Sequence, residues 1–456
     1  MAGEVRNIKL IELMQQAGLS ASGLARRVVD LAGQHGVDRS YTHVDVKRWT
    51  EGRQPRGIVP ALIAQALAIK LGRPVSVADI GMVGGLDATL ARAGSYPQTV
   101  AESAAAVAAV VQADRPGILV AGTESVESSA WSDLMVQWLL APDGQGAGPL
   151  EPAAQDSQGL QLAGDMFSRL DYQFGGGYAR SSLVEFIRGE VAPLVQDPRG
   201  ISPEVLRSAA ALLRLAGWTA YDTGAHGLAS RYLTQALRLA QAAGDRPLGG
   251  RILAGMSHQA NFLGYHEHAA NLARAAQRGA QRHATPTAMA LFHAMEARAL
   301  AGAGDRRGTE SALLAAEASF ARRSPGEDPA WLRYFDAAEL AAEFAHSYRD
   351  LGMADKAIEF GEIAVYQADP LYVRSITFCQ CVLAAGHLGK GDLERGLSLA
   401  ETAVTGAATL RSVRSRAYVR DFVGRLAPYR GQRLAADFIG RVERTQGLGQ
   451  GRPSGR

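Results

Sequence analysis

Hydrophobic residues recur every three or four positions along most of this chain, a spacing typical of amphipathic helices. The clearest short example is the stretch 43–51. At about 100° per residue, Val46 and Trp49 fall on one face of this predicted helix, so we expect both to pack in a core. The opposite face is expected to be exposed and carries Val44, Lys47, Arg48 and Glu51, with His43 at the N-terminal tip.

Signals at both ends delimit this helix. Thr42 is a favourable N-cap, and Asp45, three residues later, can complete a capping box. Gly52 can adopt the positive φ that often follows a helix, and Pro55 prevents its continuation. The sequence therefore predicts a short helix with defined ends and a basic exposed face.

The first 80 residues contain further short helices around this one. The pattern predicts one helix that ends at Gly18, a second that is capped by Ser20 and extends to about His35, and another that is closed by Gly72. Short helices around a capped basic helix are typical of a helix-turn-helix module. We therefore assign residues 1–80 to a DNA-binding domain of this kind.

From residue 201 to residue 446, apolar helices alternate with glycine-containing turns. Five of these turns carry glycines at successive separations of 40, 40, 48 and 39 residues: Gly224, Gly264, Gly304, Gly352 and Gly391. Helix pairs that repeat in this way cannot bury their apolar faces alone and must stack on one another. The predicted fold class is therefore all-α, with a helix-turn-helix domain followed by a right-handed α-solenoid.

The intervening residues 81–200 are predicted to be a helical linker region. Helices are expected near 98–113 and 128–140, and a flexible loop rich in Pro and Gly is expected near 142–158. Residues 117–121 fit either a short buried strand or a linker, and their periodicity does not decide between the two.

Composition places the chain among ordinary globular proteins. With 456 residues, of which 47% are hydrophobic and 20% charged, it is long enough for more than one domain. A formal net charge of +3 excludes polyanion binding over the whole surface. Within residues 39–56, however, five Lys or Arg face two acids, so positive charge is concentrated at the predicted reading helix.

The cellular compartment can be predicted from features that the sequence lacks. The two cysteines, Cys379 and Cys381, lie too close together for a disulfide framework and are expected to be buried thiols. The N-terminus has no apolar segment of the signal-peptide kind, and no apolar run approaches the length of a membrane span. We expect a cytoplasmic protein with no membrane partner, and a disordered tail at 447–456.

Catalytic and metal-binding patterns are weak. The histidines at 258, 266 and 268 do not have the His-Glu-x-x-His spacing of a zinc site. The three glycines at 175–177 are not followed by the Lys-Ser/Thr of a phosphate loop, so we expect them to form a turn between helices. We therefore predict no catalytic residues, no metal, no cofactor and no enzymatic activity.

Two parts of the chain resemble known families. Gly18-Leu19-Ser20, Leu24-Ala25 and the stretch 46–55, VKRWTEGRQP, resemble the lambda-repressor-like, or XRE, helix-turn-helix family over about the first 80 residues. Residues 348–358, YRDLGMADKAI, resemble tetratricopeptide repeats, whose usual period of about 34 residues would be lengthened here. The first resemblance implies DNA reading, and the second implies a groove that binds an effector or partner.

Seven residues are expected to contact DNA. Arg48 can bind a guanine edge with two hydrogen bonds, Lys47 can bind guanine or phosphate, and Val44 can contact a thymine methyl group. Arg53 and Arg56 follow the helix and are expected to contact phosphate. The complete set is Thr42, His43, Val44, Lys47, Arg48, Arg53 and Arg56.

These expectations combine into the hypothesis of a transcriptional regulator that binds double-stranded DNA. A homodimer is expected because a single helix-turn-helix reads about half of an operator. The helical repeats would mediate dimerisation and sense a peptide, a small molecule or a protein, although the sequence identifies no effector-binding residue. The architecture resembles regulators of actinobacteria, which implies control of development or secondary metabolism.

The alternative hypothesis is a protein-interaction scaffold whose N-terminal module no longer binds DNA. It is favoured by Thr50, which takes the place of the acid that usually follows the Trp in the XRE family, and by Ala21, where Gln is common. The stretch 24–42 is also longer than usual for that family.

Overall fold

The computed structural model describes residues 6–34, 40–55, 59–73, 75, 77, 79–82, 90, 93–114, 126, 128–140, 154–197, 201–324 and 326–446. These residues form helices and turns and contain no β-strand, so the predicted all-α class is confirmed. The predicted tail at 447–456 and the ambiguous segment at 117–121 lie outside the described residues.

The N-terminal module contains four helices: α1 (Ile8–Gln16), α2 (Ala21–Gln34), α3 (His43–Thr50) and α4 (Val59–Leu71). Helix α2 packs against both α3 and α4, and the buried side chains of all four helices form one apolar core. Asn7 connects the start of α1 to its neighbours, because its backbone N–H donates to the Thr50 carbonyl at 3.0 Å and its side-chain amide donates to the Ile80 carbonyl at 2.8 Å. The apolar core and the hydrogen bonds of Asn7 therefore hold α3 in place.

The next helices are α5 (Val100–Ala113), α6 (Ser129–Leu140), α7 (Ala154–Phe174), α8 (Arg180–Phe186) and α9 (Ala192–Gln196), with a π-helical turn at Ile187–Val191 between the last two. Helix α7 begins at Ala154, so the end of the loop predicted near 142–158 is helical. The buried side chains of this region belong to the same apolar core as the first helices of the solenoid.

The solenoid contains six consecutive pairs of helices. They are α10 (Pro203–Asp222) with α11 (His226–Ala242), α12 (Arg246–Phe262) with α13 (His266–Ala280), α14 (Pro286–Gly302) with α15 (Arg306–Ala321), α16 (Ala337–Asp350) with α17 (Ala354–Tyr366), α18 (Val373–Gly389) with α19 (Leu393–Thr409), and α20 (Val413–Arg425) with α21 (Arg433–Gln446). In the first five pairs the two helices pack closely against each other, and each pair contacts the next. The stacking predicted from the repeated pattern is confirmed.

The five turn glycines predicted from their spacing each connect the two helices of one pair. Gly224 and Gly352, for example, have backbone φ values of 85° and 70°, which residues other than glycine rarely adopt. The long step of 48 residues has a local cause. Residues 322–336, between α15 and α16, form an insertion that contains a 3₁₀ turn at Ala330–Leu332.

Candidate functional sites

Helix α3 presents the side chains that the sequence predicted. Val46 and Trp49 are buried in the module core, whereas Val44 is 43% exposed. The side chains of Lys47 and Arg48 are 74% and 53% exposed. The helix is therefore held by one face and offers the other to solvent.

The N-terminus of α3 is fixed by a carboxylate. Asp45 accepts hydrogen bonds from the backbone N–H of Thr42 at 2.8 Å and from the Thr42 hydroxyl at 3.0 Å. The backbone bond from Thr42 is the largest cause that lowers the pKa of Asp45. The predicted capping interaction is present and holds the exposed face of α3 in a defined orientation.

The remaining predicted DNA contacts lie around this helix. Thr42 and His43 are exposed at its start, and Arg53 is exposed just after its end. Arg56 lies outside the described residues. The cations on α3 make long intrahelical ion pairs, since Lys47 lies 4.0 Å from Glu51 and Arg48 lies 3.9 Å from Asp45. Pairs of this length between partly or largely exposed groups are weak, so both cations remain available to other partners.

A second candidate site lies inside the solenoid. The first helices of all six pairs contribute side chains to one cavity of about 90 Å³, and the end of α7 contributes Asp171 and Tyr172. Five of these helices each provide a buried arginine: Arg214 on α10, Arg251 on α12, Arg298 on α14, Arg374 on α18 and Arg414 on α20. We call this space the arginine cavity. Helix α16 instead provides two acids, Glu339 and Glu343.

Three of the five arginines have acidic partners. Arg298 donates to Glu343 at 2.7 Å, and Arg374 donates to both oxygens of Asp171 at 2.6 and 2.8 Å. Arg414 lies 3.6 Å from Asp222. Each of these buried cations is therefore compensated by a carboxylate.

Arg214 and Arg251 are different. Within the described part of the chain, neither has a carboxylate within ion-pair distance. The Nε–H of each is buried without an acceptor, as are those of Arg298 and Arg414. Burial, and then the neighbouring charge of Arg251, lowers the pKa of Arg214 to about 10, so Arg214 still carries its charge at neutral pH. The cavity thus contains two buried, uncompensated positive charges.

Aromatic rings surround the guanidinium groups. The centre of the Trp218 ring lies 5.1 Å from the guanidinium carbon of Arg414, 5.8 Å from that of Arg374 and 6.0 Å from that of Arg251. Arg251 also lies 5.1 Å from the ring of Tyr334. These contacts supply part of the favourable energy that the buried cations need.

One acid of α16, Glu339, is perturbed by the same environment. Burial, followed by the charge of Glu343, raises the pKa of Glu339 to about 7. The Ser375 hydroxyl donates to Glu339 at 2.8 Å. Two histidines in the cavity wall, His258 and His346, have pKa values held well below the usual range, mainly by burial.

Sequence reasoning did not identify the residues of the arginine cavity. No local signal distinguishes these five arginines, because α14 and α18 carry one arginine each, whereas α10 and α12 carry two and α20 carries four. Their convergence depends on the curvature of the solenoid, which brings Arg214 and Arg414 to one space although 200 positions separate them in the chain.

The other residues considered for chemistry each have their own contacts. His258 contacts the Tyr221 hydroxyl at 2.9 Å, His266 contacts the Asn261 side chain at 2.7 Å, and His268 packs near the ring of Trp131. Cys379 and Cys381 are buried free thiols, as expected. The glycines at 175–177 form the turn that connects α7 to α8, as predicted.

No helix in the described part of the chain combines the length and the apolar character needed to cross a membrane.

Comparison with known proteins concerns the N-terminal module. A family model described as the SP15 N-terminal domain matches residues 10–83, which include α2 to α4 and most of α1. A search of curated proteins finds no match to the chain. The similarity to the SP15 N-terminal domain is thus confined to the segment that contains the exposed helix α3.

Proposed function

We propose that this protein is a cytoplasmic transcriptional regulator whose N-terminal module binds double-stranded DNA through α3. The observation that carries the proposal is the division of α3 into two faces. Trp49 anchors one face in the core, and the other face exposes Val44, Lys47 and Arg48 to solvent. A short anchored helix with this combination of side chains has the size and chemistry to enter a major groove.

The expected contacts follow from the exposed groups. Arg48 supplies a planar donor for a guanine edge, and Val44 supplies an apolar contact for a thymine methyl group. Thr42, His43, Lys47 and Arg53 lie at the borders of this surface, where phosphate contacts set the register. A homodimer on a pseudo-palindromic operator would provide the second half of the binding surface.

The solenoid would then act as the dimerising and sensing part of the regulator. Its similarity to tetratricopeptide repeats is part of the same proposal, because arrays of helix pairs offer extended surfaces for ligands and partners. Resemblance to actinobacterial regulators suggests development or secondary metabolism as the controlled process.

Selection of genomic DNA fragments by the full-length protein tests this proposal. We expect the wild type to enrich one pseudo-palindromic motif at near-physiological salt, and the Lys47→Ala, Arg48→Ala double variant to lose that enrichment. The Arg306→Ala, Arg433→Ala double variant is the matched control, since it removes two exposed cations from intrahelical pairs on the solenoid. If wild type and both variants recover the same unselective background, the proposal is wrong.

A protein-interaction scaffold is the second candidate. It is favoured by the acids Asp45 and Glu51, which accompany the cations on α3 and reduce its net charge. In that case the exposed face of α3 would bind a protein. Affinity capture with the same α3 variant would then lose a protein partner while DNA selection remains unselective for the wild type.

A further inference from the structure

The arginine cavity contains more buried positive charge than its own acids neutralise. Its carboxylates are already engaged: Asp171 with Arg374, Glu343 with Arg298, and Glu339 with the Ser375 hydroxyl. Asp222 is shared by Arg374 and Arg414, at 3.4 and 3.6 Å. No described acid remains for Arg214 or Arg251, although both are more than nine-tenths buried.

We propose that the arginine cavity binds a small anion, whose carboxylate or phosphate oxygens are held between the guanidinium groups of Arg214 and Arg251. Two neighbouring cations repel each other when no anion lies between them, and burial strengthens this repulsion. An anion with two or more oxygens would accept hydrogen bonds from both groups and neutralise them. The proposal names the ligand class for the effector role described above, but it does not require DNA binding.

Stacking on aromatic rings does not remove the need for an anion. Trp218 and Tyr334 lie near the guanidinium group of Arg251, and such rings interact with the face of a cation. Carboxylates and phosphates bind instead along the guanidinium edge, where the N–H groups point. The buried Nε–H groups of Arg214 and Arg251 lack an acceptor in this plane.

The size of the cavity limits the ligand. About 90 Å³ is too small for a folded peptide, whereas one water needs roughly 10–15 Å³ on the same kind of measure. Apolar side chains, including Leu215, Leu291 and Met295, complete the lining. The cavity therefore suits a phosphate group or a short organic acid better than a long chain.

A second cleft of about 430 Å³ shares His258, Arg298 and Tyr418 with the arginine cavity and contains Arg349 and Arg425. Arg349 and Arg425 are paired there with Asp350 and Asp421, at 2.6 and 2.8 Å, so this cleft carries charges of both signs.

The test uses the full-length protein in a buffer of low salt, with inorganic phosphate and succinate as separate probes. For the wild type we expect saturable binding of at least one probe in a calorimetric titration, and an unfolding midpoint raised by about 2 °C or more at saturation. A response to phosphate alone assigns a phosphate ligand, and a response to succinate assigns a carboxylate. No saturable response to either probe overturns the proposal.

Variants separate this role from a purely structural one. Arg214→Met and Arg251→Met should each weaken binding at least tenfold and, because they remove an uncompensated buried charge, raise the unfolding midpoint of the ligand-free protein. An arginine kept for structure would instead lower that midpoint when replaced. Arg306→Met, which removes an exposed cation on α15, should change neither quantity.

Nonspecific stabilisation by phosphate is distinguished by the same variants. Phosphate at high concentration stabilises many proteins by exclusion from their surface, and such an effect would be equal in the wild type and in Arg214→Met. That equality would overturn the proposal. If the Met variants fail to fold, Arg214→Lys decides: it keeps the charge but loses the two-pronged geometry, so weaker binding supports the site and unchanged binding overturns it.

The anion-binding experiment measures ligand affinity and the unfolding midpoint, so a negative result there leaves the DNA-binding proposal untouched. Failure of DNA selection likewise leaves the anion site standing.

Discussion

Asp171 and Arg374 form a buried ion pair with two hydrogen bonds, of 2.6 and 2.8 Å, although 203 positions separate them in the chain. Asp171 lies near the end of α7, and Arg374 lies at the start of α18 in the fifth helix pair. This one contact fastens a helix that precedes the solenoid to a helix near its far end. It therefore contributes to the closed shape of the arginine cavity.

Asp171→Asn is expected to destabilise the protein by about 3–5 kcal/mol, because the more distant Asp222 would then be the only carboxylate near the buried Arg374 charge. Urea-induced unfolding of the purified variant measures this. Asp437→Asn is the matched control, since Asp437 pairs with the exposed Arg433 at 3.6 Å and its loss should change the free energy of unfolding by less than about 1 kcal/mol. Equal effects of the two changes would contradict the assignment of Asp171 as a structural anchor.

Glu339 should make the stability of the protein depend on pH. Its pKa in the folded state is raised from 4.5 to about 7, so between these values the folded state binds more protons than the unfolded state. The free energy of unfolding contributed by this group therefore falls as pH rises from about 4.5 to about 7 and then levels. Glu339→Gln should remove this decrease.

Unfolding curves of the wild type and Glu339→Gln, collected in parallel from pH 4.5 to pH 8, test the sign. The difference in free energy between the two proteins should change across this interval and be constant above it. A difference that is independent of pH would show that Glu339 ionises as an ordinary exposed acid does.

Single changes around α3 should separate base reading from phosphate contact. Arg53→Ala is expected to weaken binding to all DNA sequences alike. It should also reduce the magnitude of the slope of log K against log salt concentration by about 0.9. Val44→Ala should leave this slope unchanged and relax the preference at one thymine position. Binding titrations at several salt concentrations measure both, and a selective loss in Arg53→Ala would reverse the assigned roles.

Trp138 is seated against two glycines of the solenoid, Gly249 and Gly279, and a Cβ at either position would overlap its indole ring. Gly249→Ala should therefore destabilise the protein by about 1–3 kcal/mol through overpacking. Gly159→Ala is the control, because a Cβ in α7 at this site meets no atom within 4 Å and should stabilise the helix by about 0.5–1 kcal/mol. Thermal unfolding compares the two variants, and equal unfolding midpoints would contradict the close packing of Trp138 against Gly249.

Local features of the fold were predictable from the sequence because they depend on neighbouring residues. The division of α3 into buried Val46 and Trp49 and an exposed opposite face follows from helical periodicity alone. The turn at Gly264 follows from a conformation that glycine adopts most readily, and its observed φ of 84° agrees.

Features that depend on the curvature of the whole array were not predictable in this way. Neither Asp171 nor Arg374 carries a local signal that it has a partner two hundred residues away, and Arg214 looks like any cation on an amphipathic helix. The sequence pattern also places residues 154–158 in a loop, because the flanking Pro and Gly residues obscure the start of α7.

Asp222 adds a last consequence. This buried carboxylate, at the end of α10, accepts hydrogen bonds from the Gly176 backbone N–H and from the Ser412 hydroxyl, both at 2.9 Å. The first helix pair of the solenoid is thereby joined to the beginning of the last. Open repeat arrays can lose or gain units at their ends, because each unit depends only on its neighbours. An array whose two ends share a carboxylate has a fixed number of units. We therefore expect the intact solenoid to unfold as a single cooperative body, and deletion of α20 and α21 to unravel α10 as well.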